Sequence, residues 1–343
     1  MRRNYTIGLF LCMLVISCKT YKEVHYDVLR PAAYSVPPEI KSLVVVNNSF
    51  PFNADNAHIA MVVGDEVRLD TVQVDSFAAI VISSLRKELA YRQFFDTVYA
   101  DTVRYNQVDV GRAFKVLRPS EVSSICSKFD ADAVLSLEGA RYGTNINVLD
   151  MGEEYFSTMD ANGLLFWRLY DRYEKVPLYK TSQVDTIFWS GVGANVNNSV
   201  GSFPSLKDAT IELGGYLGAT FADQLVPFWE PVTRRIYVSG NPLFVNASEW
   251  LAKDNRFEAE KIWAYIYEKG SAKEKWRSAN NIAVSMEARG ELKKAMEWAY
   301  QSYQACENAG GIEAVDAAKD LYVDLVRRYR DEKKLSKQVG GAL

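Results

Sequence analysis

Tyr155-Phe156-Ser157-Thr158-Met159-Asp160-Ala161-Asn162-Gly163-Leu164-Leu165-Phe166-Trp167-Arg168-Leu169-Tyr170 decides how the first part of the chain folds. Met159, Ala161, Gly163, Leu165, Trp167 and Leu169 share one parity and are all apolar or glycine, whereas Asp160, Asn162 and Arg168 take the other. Successive side chains of a strand point to opposite faces, so this spacing predicts a long, half-buried strand. Asp171 to Pro177 is a polar connection and Leu178–Trp189 returns, which makes 155–190 a β-hairpin. The returning strand alternates Leu178, Lys180, Ser182 with Tyr179, Thr181, Gln183. Neither set is apolar enough to face lipid, which argues against a pore.

Toward the amino terminus, Leu43-Val44-Val45-Val46 is a β-branched run fit for a buried strand. Phe77, Ile80, Val81, Leu85 and Leu89 recur at helical spacing within Val74–Phe94. A strand near 95–100, a helix opening after Pro119 with Ser120 as its cap, and a strand Ala133–Leu137 follow. Toward the carboxyl terminus, the glycine- and asparagine-rich segment Ser190–Phe203 reads as a mobile loop. A helix from about Ser205 to Val226 comes next, with Gly214, Gly215 and Gly218 suited to close helix packing, and Ile236–Val238 adds a short edge strand. Strands alternating with helices indicate an α/β or α+β layer. This element order resembles the α/β domain of curli-secretion and TolB-type envelope lipoproteins.

Composition changes after Gly240-Asn241-Pro242: charge rises and four of the seven tryptophans fall in this last stretch. Asp254, Ala259 and Trp263 correspond to Gly290, Ala295 and Ala299 at an offset of 36 residues, near the tetratricopeptide period of 34. Asn281-Ile282-Ala283, Met286, Gly290, Leu292, Ala295 and Tyr303 resemble the tetratricopeptide pattern. That resemblance implies paired antiparallel helices, with Gly290 at the turn and Trp263, Ile282, Ala283 and Ala295 in the packing. The first copy departs from it, with Asp254-Asn255 where a glycine usually opens the turn. A third unit begins near Gly310-Gly311, with one helix over Ile312–Val326 and a turn at Arg330-Asp331. Trp250, Trp263, Trp276 and Trp298 are assigned to core and inter-helix packing in preference to a recognition stripe. The fold class expected is therefore α+β, an α/β layer with a β-hairpin, followed by an all-α tetratricopeptide-like repeat domain.

The amino terminus reads as an address. Arg2 and Arg3 precede an apolar run from Tyr5 to Ile16, shorter than the roughly 20 residues a spanning helix needs, so 1–17 is expected to be a secretory signal. Val15-Ile16-Ser17-Cys18 resembles the bacterial lipobox, and the resemblance implies cleavage between Ser17 and Cys18 and diacylglycerol on Cys18. The alternative is an ordinary signal in which Cys18 is incidental. Several acyl chains, at ~0.8 kcal/mol per buried methylene, anchor a body stably to a bilayer. Lys19 in place of Asp implies, in the lipoprotein-sorting pattern, an outer-membrane location, and the absence of an acidic run favours the periplasmic face. Pro31, Pro37 and Pro38 give 18–40 the look of an extended tether, on the order of 70 Å at ~3.3 Å per residue. The remaining boundaries are 41–239 for the α/β domain and 240–343 for the helical domain. As a whole the pattern resembles tetratricopeptide-bearing outer-membrane lipoproteins of Bacteroidota, a resemblance that carries no activity.

The chain has 343 residues, 48% hydrophobic and 24% charged, with net charge −3; this is a globular composition without a polycationic face, and nucleic acid is not an expected partner. Two histidines and four cysteines limit metal and nucleophile chemistry. His25 falls in the tether and His58 in a loop, so they are not expected to converge, and no G-x-S-x-G, H-E-x-x-H or P-loop sequence occurs. Asp130 with Asp132, and Glu153 with Glu154, read as solvated edges, since neighbours on a strand diverge. Cys126 and Cys306 read as two buried thiols in different domains. No catalytic residue, metal or cofactor is assigned. The function expected is a lipid-anchored, non-catalytic envelope protein that binds another envelope protein. The alternatives are a subunit of a curli-type secretion or assembly complex, and a hydrolase with acidic residues meeting at the 190–203 loop.

Overall fold

The computed structural model describes residues 20–50, 52, 57–69, 72–105 and 115–340; Ser17 and Cys18 lie outside the described residues. Contacts divide the chain into two units, Pro31–Phe228 with Lys334–Leu343, and the residues up to Arg30 with Trp229–Lys333. The first strand, β1 (Tyr21–Arg30), belongs to the second of these. Residues 21–30 are thus paired backbone and not the extended tether expected from the prolines, which all lie beyond the strand.

The α/β unit contains β2 (Ser42–Asn47), β3 (His58–Val62), β4 (Asp65–Arg68), α1 (Phe77–Arg92), β5 (Thr97–Arg104), α2 (Pro119–Phe129) and β6 (Ala133–Asp150). These lead into β7 (Tyr155–Asp171), β8 (Tyr179–Gly193), α3 (Val196–Val200) and α4 (Leu206–Phe221). β6 is the hub of a seven-stranded sheet. One of its edges takes β2 in parallel along Ala133–Leu137 and then β3 in parallel along Thr144–Val148. Its other edge takes β7 antiparallel over its whole length, and β8 follows β7.

β2 lies between β5 and β6 and is parallel to both, so the chain crosses over twice in opposite directions. Right-handed crossovers of opposite direction put their helices on opposite faces. Leu43 and Val45 accordingly join the core beneath α1, and Val44 and Val46 the core beneath α2. The parity read from β7 holds: Met159, Ala161, Leu165, Trp167 and Leu169 are all buried on the α1 side. There α4 covers the sheet, with Trp167 stacked on Phe221 at 4.6 Å between ring centres. Gly218 permits the contact between α1 and α4, because a Cβ there would overlap the Val81 carbonyl oxygen.

Several local expectations are corrected. Ser120 does not cap α2; Pro119 is its first residue, the cap is Arg118, and the Glu121 carboxylate accepts from the Arg118 N–H at 2.7 Å. The segment 190–203 is not an open loop: β8 runs to Gly193 and α3 folds back against the hairpin. His58 is buried in β3, bonded to Thr144 Oγ1 at 2.7 Å and the Val72 carbonyl at 3.2 Å, so it is no loop residue.

The second unit pairs β1 with β9 (Phe228–Tyr237) as a two-stranded sheet, in place of the short edge strand expected at 236–238. Five helices follow, α5 (Pro242–Ala252), α6 (Arg256–Lys269), α7 (Ala272–Ala288), α8 (Leu292–Glu307) and α9 (Ile312–Gln338). Successive helices from α5 to α8 pack on one another, as a helical-repeat region requires. The expected turn at Arg330-Asp331 is absent, because α9 is continuous to Gln338. Trp263 and Trp276 are buried in this unit's core, with Trp250 and Trp298 packed partly buried against it.

Candidate docking face on the β7–β8 hairpin

The outward residues of β7 and β8 form a face that splits into a covered end and a bare one. At the covered end Tyr170 joins the core beneath α2, and the buried Glu138 carboxylate accepts from the Tyr170 hydroxyl at 2.7 Å and from Arg168. Burial pushes the Glu138 carboxyl above the usual range, with Tyr170 and Arg168 opposing it. At the bare end Val184, Phe188 and Val192 are 71%, 73% and 59% exposed. Phe156 lies opposite Val192 across the β7–β8 ladder and is exposed as well.

This row stands on a fixed support. The inward residues of β8 are held by α4: Gln183 donates to the Leu217 carbonyl at 3.1 Å and to Thr220 Oγ1 at 3.0 Å, and Asp185 bonds the Tyr216 hydroxyl. At the far end Gly191 and Gly193 let α3 lie against the strand, since a Cβ at either would overlap backbone of Asn198 or Ser199. Ser157 and Ser199 hydroxyls meet at 2.6 Å beneath this contact. The outward parity of β8 is thereby fixed toward solvent. Among the described residues β8 pairs only with β7, so no strand takes up the N–H and C=O groups of its other edge along its 15 residues, although the Thr186 N–H donates to the Asp185 carboxylate at 2.8 Å and the Ser182 carbonyl accepts from the Thr181 hydroxyl at 3.4 Å.

In the helical unit, the sequence-assigned packing residues occupy interior positions. Trp263, Ile282, Ala283 and Ala295 are buried, and Gly290 turns between α7 and α8 at φ +77°. Two sets of contacts there escaped the sequence reading. Asn281 accepts from the Tyr237 N–H at 2.8 Å and donates to the Tyr237 carbonyl at 2.7 Å, while Asn280 donates to the Arg235 carbonyl at 2.7 Å. Their amides act on β9 as a neighbouring strand would.

Glu287 holds the second. Its side chain is fully buried, accepting from Tyr26 at 2.7 Å, from Arg234 at 2.7 and 2.8 Å, and from Arg328. Arg30 and Arg234 both reach Asp324. Burial alone would raise the Glu287 carboxyl, but Arg234, Tyr26 and Arg328 together hold it below the usual glutamate range. Asp324 is lowered in the same way, burial being outweighed by Arg30 and Arg234. Asn281 lies within the tetratricopeptide-like pattern, but neither its pairing with Tyr237 nor the cluster around Glu287 carries a sequence signal, because the partners Tyr237, Tyr26 and Arg234 come from strands remote in sequence.

The remaining candidates do not converge on a site. Asp132 caps β2, accepting from the Lys41 and Ser42 N–H groups and the Ser42 hydroxyl. Asp130, Glu153 and Glu154 are exposed. His25 bonds Thr233 from β1. Cys126 and Cys306 are free and buried, and burial pushes the Cys126 thiol up to about 11. Among the described residues no three His, Cys, Asp or Glu side chains gather as a metal site, and no helix is long and apolar enough to cross a membrane.

A mixed sheet with helices on both faces, followed by a helical region, defines the class of the protein: α+β with a helical-repeat-like second part. The chain belongs to the family described as domain of unknown function DUF8603, whose model matches residues 40–237, and residues 245–334 match a second domain of unknown function, DUF6340. No curated protein matches the chain. Among solved structures, the PelC dodecamer from Paraburkholderia phytofirmans is similar at 11% identity, covering 59% of this chain and 97% of that one with a TM-score of 0.24. A putative neuraminyllactose-binding hemagglutinin homolog from Helicobacter pylori is similar at 13%, covering 67% and 92% with a TM-score of 0.27. Lipoprotein GNA1162 from Neisseria meningitidis is similar at 18%, covering 53% and 96% with a TM-score of 0.20.

Proposed function

We propose that this protein is a lipid-anchored, non-catalytic component of a multi-protein assembly in the bacterial cell envelope, joined to its neighbours through the bare end of the β7–β8 hairpin. The supporting observation is the exposed row Val184, Phe188 and Val192 on a strand whose other edge pairs with no strand among the described residues. Apolar side chains at every second outward position beside open backbone groups are what β-strand addition uses, main chain for affinity and side chains for selectivity. The lipobox resemblance at Cys18 supports the anchor, and Lys19 an outer-membrane location facing the periplasm.

The test is site-specific photocrosslinking in intact cells, with the probe at Phe188 or at Tyr91, which is 83% exposed on α1. Phe188 is expected to capture an envelope protein and Tyr91 nothing. Equal labelling at both positions, or none at Phe188, refutes the docking surface. Separately, Cys18→Ser is expected to move the chain from the membrane fraction to the soluble periplasm; unchanged fractionation with no attached acyl mass in the parent chain removes the anchor.

A further inference from the structure

We infer that the occupant of the β8 edge is a second copy of this chain, paired antiparallel through a two-fold axis at Phe188. The inference rests on the docking surface proposed above and names its partner.

The outward residues of β8 read Val184, Thr186, Phe188, Ser190, Val192, with Lys180 and Ser182 before them. About Phe188 this row is a palindrome in size and polarity. A two-fold axis there sets Phe188 against Phe188 of the second copy, Thr186 against Ser190, and Val184 against Val192, so each outward side chain meets its like. The inward residues fit the same register: Ile187 meets Trp189, and Asp185 meets Gly191. The only charged residue between Gln183 and Gly193 therefore faces a glycine and not its own copy.

Neighbouring registers lose this match. An axis at Ile187 puts Phe188 opposite Thr186 and Val184 opposite Ser190; an axis at Thr186 keeps Val184 opposite Phe188 and Ser182 opposite Ser190 but sets the charged Lys180 against Val192. Like-with-like cross-strand pairs are what stabilise antiparallel ladders, and an isologous interface needs a self-complementary surface. The hairpin extends the row on both sides. Phe156 lies beside Val192 and Leu164 beside Val184, so the joined sheet carries one apolar band from Phe156 through Val192, then Val184 and Leu164 of the second copy. Pairing also closes the unpaired edge of both copies at once.

Disulfide trapping tests both the pairing and its register, using the full chain in oxidised intact cells. Phe188→Cys alone is expected to give a reducible species of twice the chain mass. Val184→Cys and Val192→Cys are each expected to stay single, and to form a mixed disulfide when two differently tagged chains are co-expressed. Because Phe188 is exposed, a thermal midpoint within a degree or two of the parent shows that each variant is folded. A single-mass Phe188→Cys chain and no Val184→Cys/Val192→Cys disulfide overturn the inference. If photocrosslinks from Phe188 then lead to a different protein, the docking surface stands and the second copy falls. If the disulfides form and no other protein is captured, the pairing stands and the wider assembly falls.

Discussion

β9 and β8 meet the same problem and resolve it in opposite ways. Each is an outer strand whose backbone has hydrogen-bonding capacity left over once its one neighbour is paired. On β9, Asn280 and Asn281 of α7 take up the Arg235 and Tyr237 groups, and Arg234 is drawn into the buried cluster around Glu287. On β8 the inward side chains are tied to α4, while the outward row and free edge face solvent. One edge is finished within the chain, and the other is left for something else.

The largest effect expected from breaking this contrast is at Glu287. Glu287→Ala leaves Arg234 and Arg328 buried without their shared carboxylate, and removing one partner of a buried pair costs about 3–5 kcal/mol. Urea unfolding followed by tryptophan emission should show that loss. Asn281→Ala leaves the Tyr237 N–H and carbonyl unpaired, at about 1–3 kcal/mol for each buried group left unsatisfied. Stability should fall by at least about 2 kcal/mol, and hydrogen exchange at the Tyr237 amide should accelerate ahead of global unfolding.

Acid sharpens the comparison. Glu287 and Asp324 titrate below their unfolded values, so their stabilisation is complete above the ordinary carboxylate range of about 4 and is lost as pH falls through their folded values. Glu138 has the opposite sign: its folded value is raised, so proton uptake as pH falls relieves a penalty carried by the buried charge. Stability measured from pH 7 to 3 should show the Glu287→Gln deficit shrinking toward the acid end. The smallest effect is at Phe188, where Phe188→Ser should change folding stability by no more than about 0.5 kcal/mol, the usual range for an exposed position. A loss of several kcal/mol in a dilute chain would show that β8 is already closed from within.

The parts of the fold that declare themselves locally were readable. β7 alternates over its whole length, the α1 core positions recur at helical spacing, and Leu43–Val46 carries its own β-branched signal. Pairing between distant segments was not readable. β1 mixes His, Asp, Glu and Lys with apolar residues and becomes a strand only beside β9, about 200 residues later. His58 looks like a loop residue until Thr144 supplies its buried partner. The docking face was half visible: alternation was followed through Lys180 and Ser182, which are polar, and the apolar half of the same face begins only at Val184. A test for lipid-facing strands rejects such a mixture, although a strand that docks on protein needs only a few apolar contacts.

The position of β1 bears on how the protein would sit at a bilayer. β1 opens at Tyr21, three residues after Cys18, so a lipid on that thiol would be joined to the ladder by a span of at most about 10 Å, not a free line of 70 Å. A helical unit moored that short could not sweep the compartment for its partners. They would have to come to the membrane surface to find it, where diffusion in two dimensions brings like molecules together.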